Sequence, residues 1–248
     1  MVSKYRQEMI LKILNERHSV TIVELTDLLG VSESTARRDI AMLDRIGRLV
    51  KVYGGAVAVD HLTRGPEPTV EQKNALFLDA KRQIARSAAG LIKSHDFVYL
   101  DAGTTTGYMI DFLEVQDVIF VTNAVAHAQR LAQKGMQVLL LGGFLKGITE
   151  AVVGENAVRM LQQYHFTKGF FGANGVSKDA GFTTPDPREA LIKQTAAEQC
   201  ETCYFLCDHS KLHRISAVKF APIMAGPILT DEEDMELSEL AEVKVCKK

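Results

Sequence analysis

The sequence predicts a two-part α/β protein, in which a small helical domain precedes a larger domain built on a parallel β-sheet. Beyond residue 75, short continuously apolar runs alternate with amphipathic segments, which is typical of parallel strands covered by helices on both faces. The first 57 residues instead carry apolar side chains at helical spacing. Between these parts, Pro66 and Pro68 lie in a polar stretch that disfavours helix and central strand. We therefore expect domains at 1–57 and 75–248, joined by a linker at 58–74.

The composition is that of a globular chain without membrane segments. Hydrophobic residues make up 46% of the sequence and charged residues 24%, as in ordinary soluble domains. No run approaches the ~18 apolar residues that a membrane-spanning helix needs. The first residues alternate charged with apolar side chains, so they contain no signal-peptide core. We therefore expect a cytoplasmic protein with no membrane partner.

Three short helices are predicted in the N-terminal part. Each has an apolar stripe at helical spacing. The stripes are Met9, Ile10, Ile13 and Leu14, then Ile22, Leu25, Leu28 and Leu29, and finally Ala36, Ile40 and Leu43. Gly30 can end the second helix and Ser32 can cap the third. The segment RLVKVYGGAVAV then predicts two short strands that turn at Gly54 and Gly55.

The outward face of the third helix is basic, although the whole chain has a net charge of −2. That face presents Ser34, Arg38, Ala41 and Arg45, with Thr35 and Arg37 on its flanks. A merely solvated face would usually mix in glutamates that pair with the arginines four residues away. Arginine reads guanine edges and hydroxyls reach phosphates or bases, so the pattern favours a winged helix-turn-helix DNA-binding domain. A solvated face or a protein-binding helix remains the alternative.

The stretch VTIVELTDLLGVSESTARRDIAMLDRIGRLVKVYGGAV resembles the DNA-binding module of the DeoR family of bacterial transcription regulators. The similarity includes the spacing from EL to GVS, the T-x-R-R-D core and the closing GGA. This resemblance implies that four side chains face operator DNA and that Lys51 lies nearby in the wing. The four are Ser34, Thr35, Arg37 and Arg38.

Six apolar runs predict the strands of the larger domain, and the loops that follow them are polar. The runs are 97–100, 118–121, 138–141, 169–171, 203–206 and 227–229. In open parallel sheets, ligands bind beyond the carboxyl ends of the strands. The polar residues after these strands are therefore candidates for a binding site, and they include Thr122, Asn123, Asn174, Asp208 and Lys211.

The loop DAGTTT after the first run can hold a phosphate. It offers Gly103 for close approach of the backbone and three hydroxyls, from Thr104, Thr105 and Thr106, just before a predicted helix. A plain helix cap, with Asp101 and the threonines satisfying backbone amides, explains the same residues equally well. The donors, acceptors and cation that follow the other strands favour a sugar phosphate.

The segment AGFTTPDPREALIK adds Thr183, Thr184, Asp186, Glu189 and Lys193 to the candidate site. Glu189 and Lys193 are four residues apart, so an ordinary ion pair on a helix surface is the alternative. Both interpretations stay open on these residues alone.

Residues from 76 to the C-terminus resemble the effector domain of the DeoR family, which is related in fold to ribose-5-phosphate isomerase. The motifs DAGTTT, TN, LGG, G-x-TT and D-x-SK match in order, and GANGVS with GFTTPD is most similar to the branch that regulates fructose use. The resemblance implies a homo-oligomeric repressor of a sugar-utilisation operon, controlled by a phosphorylated sugar such as fructose 1-phosphate. The implied effector site comprises Asp101, Gly103, Thr104, Thr105, Thr106, Thr122, Asn123, Asn174, Thr184, Asp186, Glu189, Lys193, Asp208 and Lys211.

An isomerase-like enzyme carrying a DNA-binding module is the second hypothesis. Aldose–ketose isomerisation needs a base, for which Asp101, Glu189 and Asp208 are nominal candidates. No paired acid-rich loop is present, and Asn174 cannot act as a base. No Gly-x-Gly-x-x-Gly follows the first strand, which disfavours a nicotinamide enzyme. We therefore expect no catalytic residue and no cofactor.

The cysteines are Cys200, Cys203, Cys207 and Cys246. Cys203 and Cys207 alternate with Phe205 on one face of a predicted strand, so packing in the core is the favoured interpretation. A metal or redox site with His209 and His213 is the alternative, although zinc ligands usually come as pairs from two separate loops.

Overall fold

The computed structural model describes residues 3–17, 19–45, 48–52, 54–57 and 68–247. They form two compact units, Met1–Pro68 and Thr69–Lys248. Residues 58–67 of the predicted linker lie outside the described residues. The structure corrects the last part of that linker. Thr69 and Gln72 form a capping box that starts a helix directly after Pro68, so the second unit begins at Thr69 and not at residue 75.

The first unit contains three helices and a three-stranded antiparallel sheet in the order β1-β3-β2. Its elements are α1 (Ser3–Arg17), β1 (Ser19–Thr21), α2 (Ile22–Leu29), α3 (Glu33–Arg45), β2 (Val50–Val52) and β3 (Gly55–Val57). Thr21 and Glu24 form the capping box of α2, and Gly30 ends that helix in the left-handed conformation at φ 62°. The short strand β1 was not predicted.

The predicted apolar stripes pack together in the core of this unit. Ile10, Leu25 and Ile40 are all buried. Leu28 is an exception, because 47% of it is exposed although it was assigned to the buried stripe of α2. Helix α2 has only eight residues, and Ile22, Leu25 and Leu29 already fill its core-facing side.

The second unit is built on a parallel seven-stranded sheet in the order β15-β14-β12-β9-β4-β5-β6. These strands are β4 (Phe97–Leu100), β5 (Ile119–Thr122), β6 (Gln137–Leu140), β9 (Phe166–Gly172), β12 (Cys200–Leu206), β14 (Ile228–Thr230) and β15 (Val243–Val245). All six predicted runs lie in this sheet, with ends shifted by a few residues. The edge strand β15 was missed, because three residues centred on Lys244 give no apolar run.

Helices cover both faces of this sheet. They are α4 (Val70–Asn74), α5 (Leu78–Ala89), α6 (Thr104–Met109), α7 (Val125–Gln133), α8 (Glu155–Leu161), α9 (Pro187–Glu198) and α10 (Met235–Ser238). The neighbouring side chains of Phe170 and Phe171 point to opposite faces, yet both are 0% exposed and belong to different core clusters. Burial on both faces explains why the strands are continuously apolar.

Two small antiparallel assemblies, not predicted from the sequence, follow the carboxyl ends of two sheet strands. One is the hairpin of β7 (Phe144–Lys146) and β8 (Ala151–Val153), and the other is the sheet of β10 (Gly175–Ser177), β11 (Gly181–Thr184) and β13 (Val218–Ala221). They hold several candidate residues in place. Among the helices that the structure describes, none has the length and apolar character needed to cross a membrane.

Candidate functional site

The candidate nucleic-acid interface lies on α3, whose two faces differ as the sequence predicts. Arg37 and Arg38 are exposed, and so is Ser34 at the start of the helix. Thr35 is half-buried on the flank. The opposite face is buried, with Ile40 at 1% exposure. The backbone of Arg45 belongs to α3, but its side chain lies outside the described residues.

The two exposed arginines differ in their ion pairing. Arg37 Nη2 lies 3.3 Å from Glu33 Oε2, so the outward face does include one glutamate pair at i,i+4 spacing, contrary to the prediction. More than half of each of these side chains is exposed, so the pair adds little stability. Arg38 forms no ion pair with any residue that the structure describes. Among the described side chains of this face, the guanidinium of Arg38 is therefore the one cation without an ion pair.

The core of the unit holds α3 and the hairpin β2–β3 in a fixed relation. Asp39, which follows the two arginines, is buried and forms an ion pair with Arg6 of α1. Asp44 Oδ1 accepts a hydrogen bond of 2.9 Å from the backbone N–H of Lys51. The side chain of Lys51 is exposed on β2. The aspartates of α3 thus orient the helix and the wing, which leaves the basic side chains at the surface.

The loop between β4 and α6 presents a group of open donors. The first helical hydrogen bond of α6 runs from Gly107 N to Gly103 O, at 2.9 Å. The backbone N–H groups of Thr104, Thr105 and Thr106 therefore find no backbone partner in the described ranges. The hydroxyl groups of Thr104 and Thr105 likewise make no hydrogen bond to described residues. Such a cluster of amides and hydroxyls can bind a phosphate.

Thr106 has a structural role in this loop. Its hydroxyl donates to the carbonyl oxygens of Asp101, at 2.7 Å, and Gly103, at 2.8 Å. Gly103 is extended, and a Cβ there would come within 3.1 Å of Thr106 Oγ1. The helix-cap interpretation therefore describes Thr106, whereas it leaves the hydroxyls of Thr104 and Thr105 without a role.

Asp101 and Lys193 form a buried ion pair between the end of β4 and helix α9. Lys193 Nζ also donates to Gly172 O at 3.0 Å, and Gly172 N donates to Asp101 Oδ2 at 3.0 Å. These contacts tie together the carboxyl ends of β4 and β9. The sequence suggested an ion pair of Lys193 with Glu189 as the alternative, and this is wrong because both side chains are buried and bind other partners.

Asn123, at the end of β5, holds the β4–α6 loop from the other side. Its Oδ1 accepts hydrogen bonds from Ala102 N, at 2.9 Å, and from Tyr99 Oη, at 3.1 Å. Its Nδ2 donates to Val152 O at 3.2 Å. Thr122 Oγ1 accepts from Ala124 N at 3.1 Å. These two predicted site residues are occupied by protein groups, so they orient the loop.

A second polar group lies between α9 and the hairpin β7–β8. Lys146 Nζ is 3.0 Å from both Asp186 Oδ2 and Glu189 Oε1, and Thr149 donates to Glu189. Hydrogen bonds from Arg188 and Lys146 lower the pKa of Asp186 below its usual range. Lys146 and Thr149 were missed in the sequence analysis, because their hairpin was not predicted. Two further predicted site residues contact each other, because Thr184 Oγ1 donates a hydrogen bond of 3.2 Å to Asn174 Oδ1.

A third group follows β12 and includes Lys81, which the sequence interpretation missed. Burial alone would raise the pKa of Asp208, but the ammonium groups of Lys211 and Lys81 lower it below the usual value. Lys81 is 3% exposed and donates to the carbonyl oxygen of Lys73. Burial lowers the pKa of Lys81 to about 8. A lysine at the start of an amphipathic helix looks solvated in sequence, which is why it was overlooked.

Cys207, the residue before Asp208, carries a buried thiol whose pKa is affected by Lys193 as well as by the group that follows β12. Burial and, to a smaller extent, the charge of Asp208 raise the pKa of Cys207 to about 12, although Lys211 and Lys193 act in the opposite direction. The fold therefore brings Lys193, Asp208 and Lys211 close enough to the same thiol for the charge of each to affect its pKa.

His127, near the start of α7, is a further residue that the sequence interpretation missed. It is 8% exposed, and its Nδ1 has no hydrogen-bond partner in the described residues. A Cβ on Gly107 would lie 2.7 Å from its Nε2, so the ring packs directly on α6. Burial lowers the pKa of His127 to about 4. A neutral ring with one unpaired nitrogen thus lies beside the open loop.

Three of the cysteines are buried in the core, and Cys200 is half-buried against it. Cys203 and Cys207 belong to one apolar cluster with Phe205, and Cys246 belongs to the other. Cys200 and Cys203 also line a surface cavity of about 230 Å³. Their thiols donate to the carbonyl oxygens of Ala196 and Ala197 at the end of α9.

The described residues contain one group of three potential metal ligands, formed by His209, Asp231 and Glu232. No cysteine belongs to it. His209 Nδ1 is already paired with Asp231 Oδ2 at 2.6 Å, and His213 pairs separately with Asp234. An ion pair across two loops accounts for this geometry.

We expect the simultaneous replacement of Cys200, Cys203 and Cys207 by Ala to leave DNA and ligand binding intact and to lower thermal stability. Loss of buried sulfur atoms leaves small cavities, each costing on the order of 1 kcal/mol. Melting followed by circular dichroism gives the stability, and fluorescence anisotropy gives DNA affinity. Stoichiometric zinc in the purified wild-type protein, found by elemental analysis, would contradict the packing interpretation.

Models of two protein families match this chain. One, described as the DeoR C terminal sensor domain, matches residues 77–232. The other, described as the DeoR-like helix-turn-helix domain, matches residues 6–61. The two matched segments correspond to the two compact units.

Several full-length relatives are similar to the chain. A Bacillus subtilis (strain 168) protein named "Uncharacterized HTH-type transcriptional regulator FruR" is 41% identical, over 100% of this chain and 98% of its own length. A "Putative aga operon transcriptional repressor" of Escherichia coli O157:H7 is 36% identical, over 86% of this chain and 80% of its own. A "Lactose phosphotransferase system repressor" of Staphylococcus epidermidis is 34% identical, over 97% of each chain.

Among solved structures, ribose 5-phosphate isomerase A from Methanocaldococcus jannaschii is similar at 17% identity and a TM-score of 0.40, over 54% of each chain. The isomerase from Plasmodium falciparum is similar at 13% identity and a TM-score of 0.40, over 53% of this chain and 52% of its own.

Proposed function

This chain belongs to the DeoR family of helix-turn-helix transcription regulators, and on that premise we propose that it represses a sugar-utilisation operon in response to a phosphorylated sugar. It binds operator DNA as a homo-oligomer in the cytoplasm. The first unit contacts DNA through α3 and the wing, and the second unit binds the sugar phosphate at the carboxyl ends of its strands.

The DNA-binding role is supported by the difference between the two faces of α3, of which one is buried in the core and the other carries the exposed arginines. Its buried face is held by Asp39 and apolar residues, so Arg38 projects from a rigid element. An uncommitted arginine on a rigid helix can reach a guanine edge in the major groove. Lys51 on the wing supplies a cation for the adjacent phosphate backbone. Arg45 is proposed to extend the same face.

The effector site is supported above all by the open donors of Thr104, Thr105 and Thr106, beside a buried and unpaired His127 nitrogen. That loop is held in position by four of the predicted site residues, which are Asp101, Gly103, Asn123 and Lys193. The remaining members of the proposed site bind the rest of the sugar. They are Asn174, Thr184, Asp186, Glu189, Asp208 and Lys211, to which we add Lys81 and His127, whereas Thr122 orients the loop together with Asn123.

Fructose 1-phosphate is the effector we propose first. Relatives named FruR, aga operon repressor and lactose phosphotransferase system repressor are similar over most of this chain. The motifs GANGVS and GFTTPD resemble those of the branch that regulates fructose use. An open phosphate loop and a separate group with two lysines suit a ligand with one dianionic end and several hydroxyls.

Catalysis is not part of the proposal, because the chain is a transcription regulator. Two of the carboxylates that were considered as candidate bases are also unsuited to proton abstraction. Asp101 is buried under an ion pair with Lys193, and Glu189 is held by Lys146 and Thr149. A base must be able to reach the proton that it removes.

Regulation requires that the effector bind the DNA-competent and DNA-incompetent states with different affinities. A thermal-shift screen of the full chain against fructose 1-phosphate, fructose 6-phosphate, tagatose 6-phosphate and glucose 6-phosphate tests the ligand class. Operator fragments titrated by anisotropy, with and without the best ligand, test the coupling. Stabilisation by none of the phosphates, with operator binding intact, would refute the effector proposal alone.

The proposal predicts that effector affinity falls above pH 8, because Lys81 then loses its charge. Burial lowers the pKa of Lys81 to about 8 in the folded protein, so the charged form predominates only below that pH. An anionic ligand favours the charged form, and linkage then gives roughly tenfold weaker binding at pH 9 than at pH 7. Phosphate itself ionises near pH 6 and contributes little in this window.

Calorimetry at pH 7, 8 and 9 measures this dependence. Lys81→Arg keeps the charge throughout and should bind with an affinity that changes less than twofold. A wild-type affinity that is constant from pH 7 to 9 would show that Lys81 does not face the ligand.

A further inference from the structure

The strand β6 forms an edge of the large sheet that is apolar and incompletely covered. Leu139 and Leu140 are successive residues, so their side chains point to opposite faces of the sheet. They are nevertheless 43% and 40% exposed, whereas Phe120 and Val121 on the adjacent β5 are fully buried. A strand of a parallel sheet is normally covered on both faces. This edge lacks part of its cover on each face.

The uncovered surface continues onto neighbouring elements of the same unit. Phe144 is 63% exposed and Leu145 is 50% exposed on β7, Ile148 in the hairpin turn is 49% exposed, and Ile119 at the start of β5 is 39% exposed. With the two leucines of β6, we call these residues the β6 surface. Together they leave on the order of 600 Å² of apolar area exposed, distributed over both faces of this edge of the sheet.

Charged side chains are absent from this edge or turned away from it. Residues 135–145, GMQVLLLGGFL, contain no charged residue. Lys134, just before them, donates to the carbonyl oxygens of Ile110 and Leu113 at 2.7 and 3.2 Å. Lys146, just after them, is buried against Asp186 and Glu189. Along residues 135–145 a like surface can therefore approach without opposing like charges, whereas the exposed Glu150 follows Ile148 in the hairpin turn.

The opposite edge of the sheet differs in this respect. On β15, Lys244 lies at the centre of the strand, 3.2 Å from Glu242 and over the ring of Tyr204. A charged residue on an edge strand disfavours pairing with another strand. The chain thus has a charged side chain on one edge of its sheet and none on the other.

We propose that the β6 surface is where a second copy of this chain docks, with β6 lying antiparallel to its own copy across a two-fold axis. Such an arrangement is self-complementary, because each copy presents the same uncharged edge and the same unpaired backbone groups. Two copies of the β6 surface would bury roughly 1,200 Å², the lower limit of a stable specific interface. The inference rests on the homo-oligomer of the proposed function and assigns its contact surface.

Sedimentation velocity of the full-length protein at about 10 µM tests this assignment. The wild type is expected to sediment as a dimer or a multiple of it. Leu139→Lys should weaken the dimer by at least a hundredfold, because a cation would be buried opposite its own copy. Phe144→Lys, at a more exposed position that tolerates lysine in the monomer, should weaken it at least tenfold. Met235→Lys is the matched control, since Met235 is 84% exposed on α10, outside the β6 surface.

Circular dichroism melting and operator anisotropy accompany each variant. A folded variant of lower mass, with Met235→Lys unchanged, supports the assignment. A monomeric wild type would overturn both the inference and the homo-oligomer. An oligomeric wild type whose mass survives Leu139→Lys and Phe144→Lys would overturn the inference alone.

Discussion

Replacement of Thr105 by Glu is expected to abolish the response to sugar phosphate while leaving operator binding unchanged. Thr105 is 7% exposed and contributes an open amide and hydroxyl to the β4–α6 loop. A carboxylate there would lie where the dianionic phosphate binds. Like charges in a partly dry site repel strongly, so we expect the effector dissociation constant to rise by more than a hundredfold. Residues 1–68 form a separate compact unit, so operator affinity without effector should persist.

Paired calorimetry and anisotropy on the folded variant measure the two affinities. Gln133→Glu, on the exposed end of α7, changes the net charge equally and serves as the control. An unaltered effector response in Thr105→Glu would remove this loop from the effector site. Loss of both activities with an unchanged circular dichroism spectrum would contradict the independence of the two units.

The second large effect is expected for Arg38→Ala, which should weaken operator binding by about 1–3 kcal/mol if Arg38 contacts a base. Within the described residues, Arg38 has no acidic partner to release, so the loss reports on DNA contact. The penalty should fall on one operator position. If Arg38 contacts a phosphate, binding should weaken on all sequences and the salt dependence should decrease by about one unit.

Anisotropy titrations on an operator and on single-base variants, at several salt concentrations, distinguish these cases. Arg159→Ala is the control, because Arg159 is an exposed arginine of the second unit whose ion pair among the described residues is with Glu155 within α8. Equal affinities of Arg38→Ala and wild type at every salt concentration would remove α3 from the DNA interface.

Much of the fold was predictable because its signals are local. The strands β4, β5, β9 and β12 appear as apolar runs, since each is buried on both faces and therefore needs no alternation. The helices of the first unit appear as stripes, since one face packs on the core. The strands β7, β8, β10, β11 and β13 were missed, because each has only three or four residues and β13 pairs with a strand that lies more than 30 residues earlier in the chain.

The exposed residues of the candidate DNA interface were predicted for the same local reason. Helical spacing determines that Arg38 points away from Ile40 and Leu43, whatever the rest of the chain does. Spacing alone predicted neither the exposure of Leu28 nor the ion pair of Arg37 with Glu33. The exposure of Leu28 depends on how much of the core is already filled, and the ion pair depends on which side-chain rotamers the surface allows.

By itself, the sequence determined six strands of the parallel sheet, the loops that follow them and the basic face of α3. Only the tertiary structure decided which buried charges pair. Lys193 was expected beside Glu189, four residues away, but it pairs with Asp101, and Glu189 pairs with Lys146. A buried charge must find its compensation in whatever the fold places nearest, because desolvation in the interior is costly. Sequence spacing fixes neighbours along one helix, whereas sheet topology brings the end of β4 against α9.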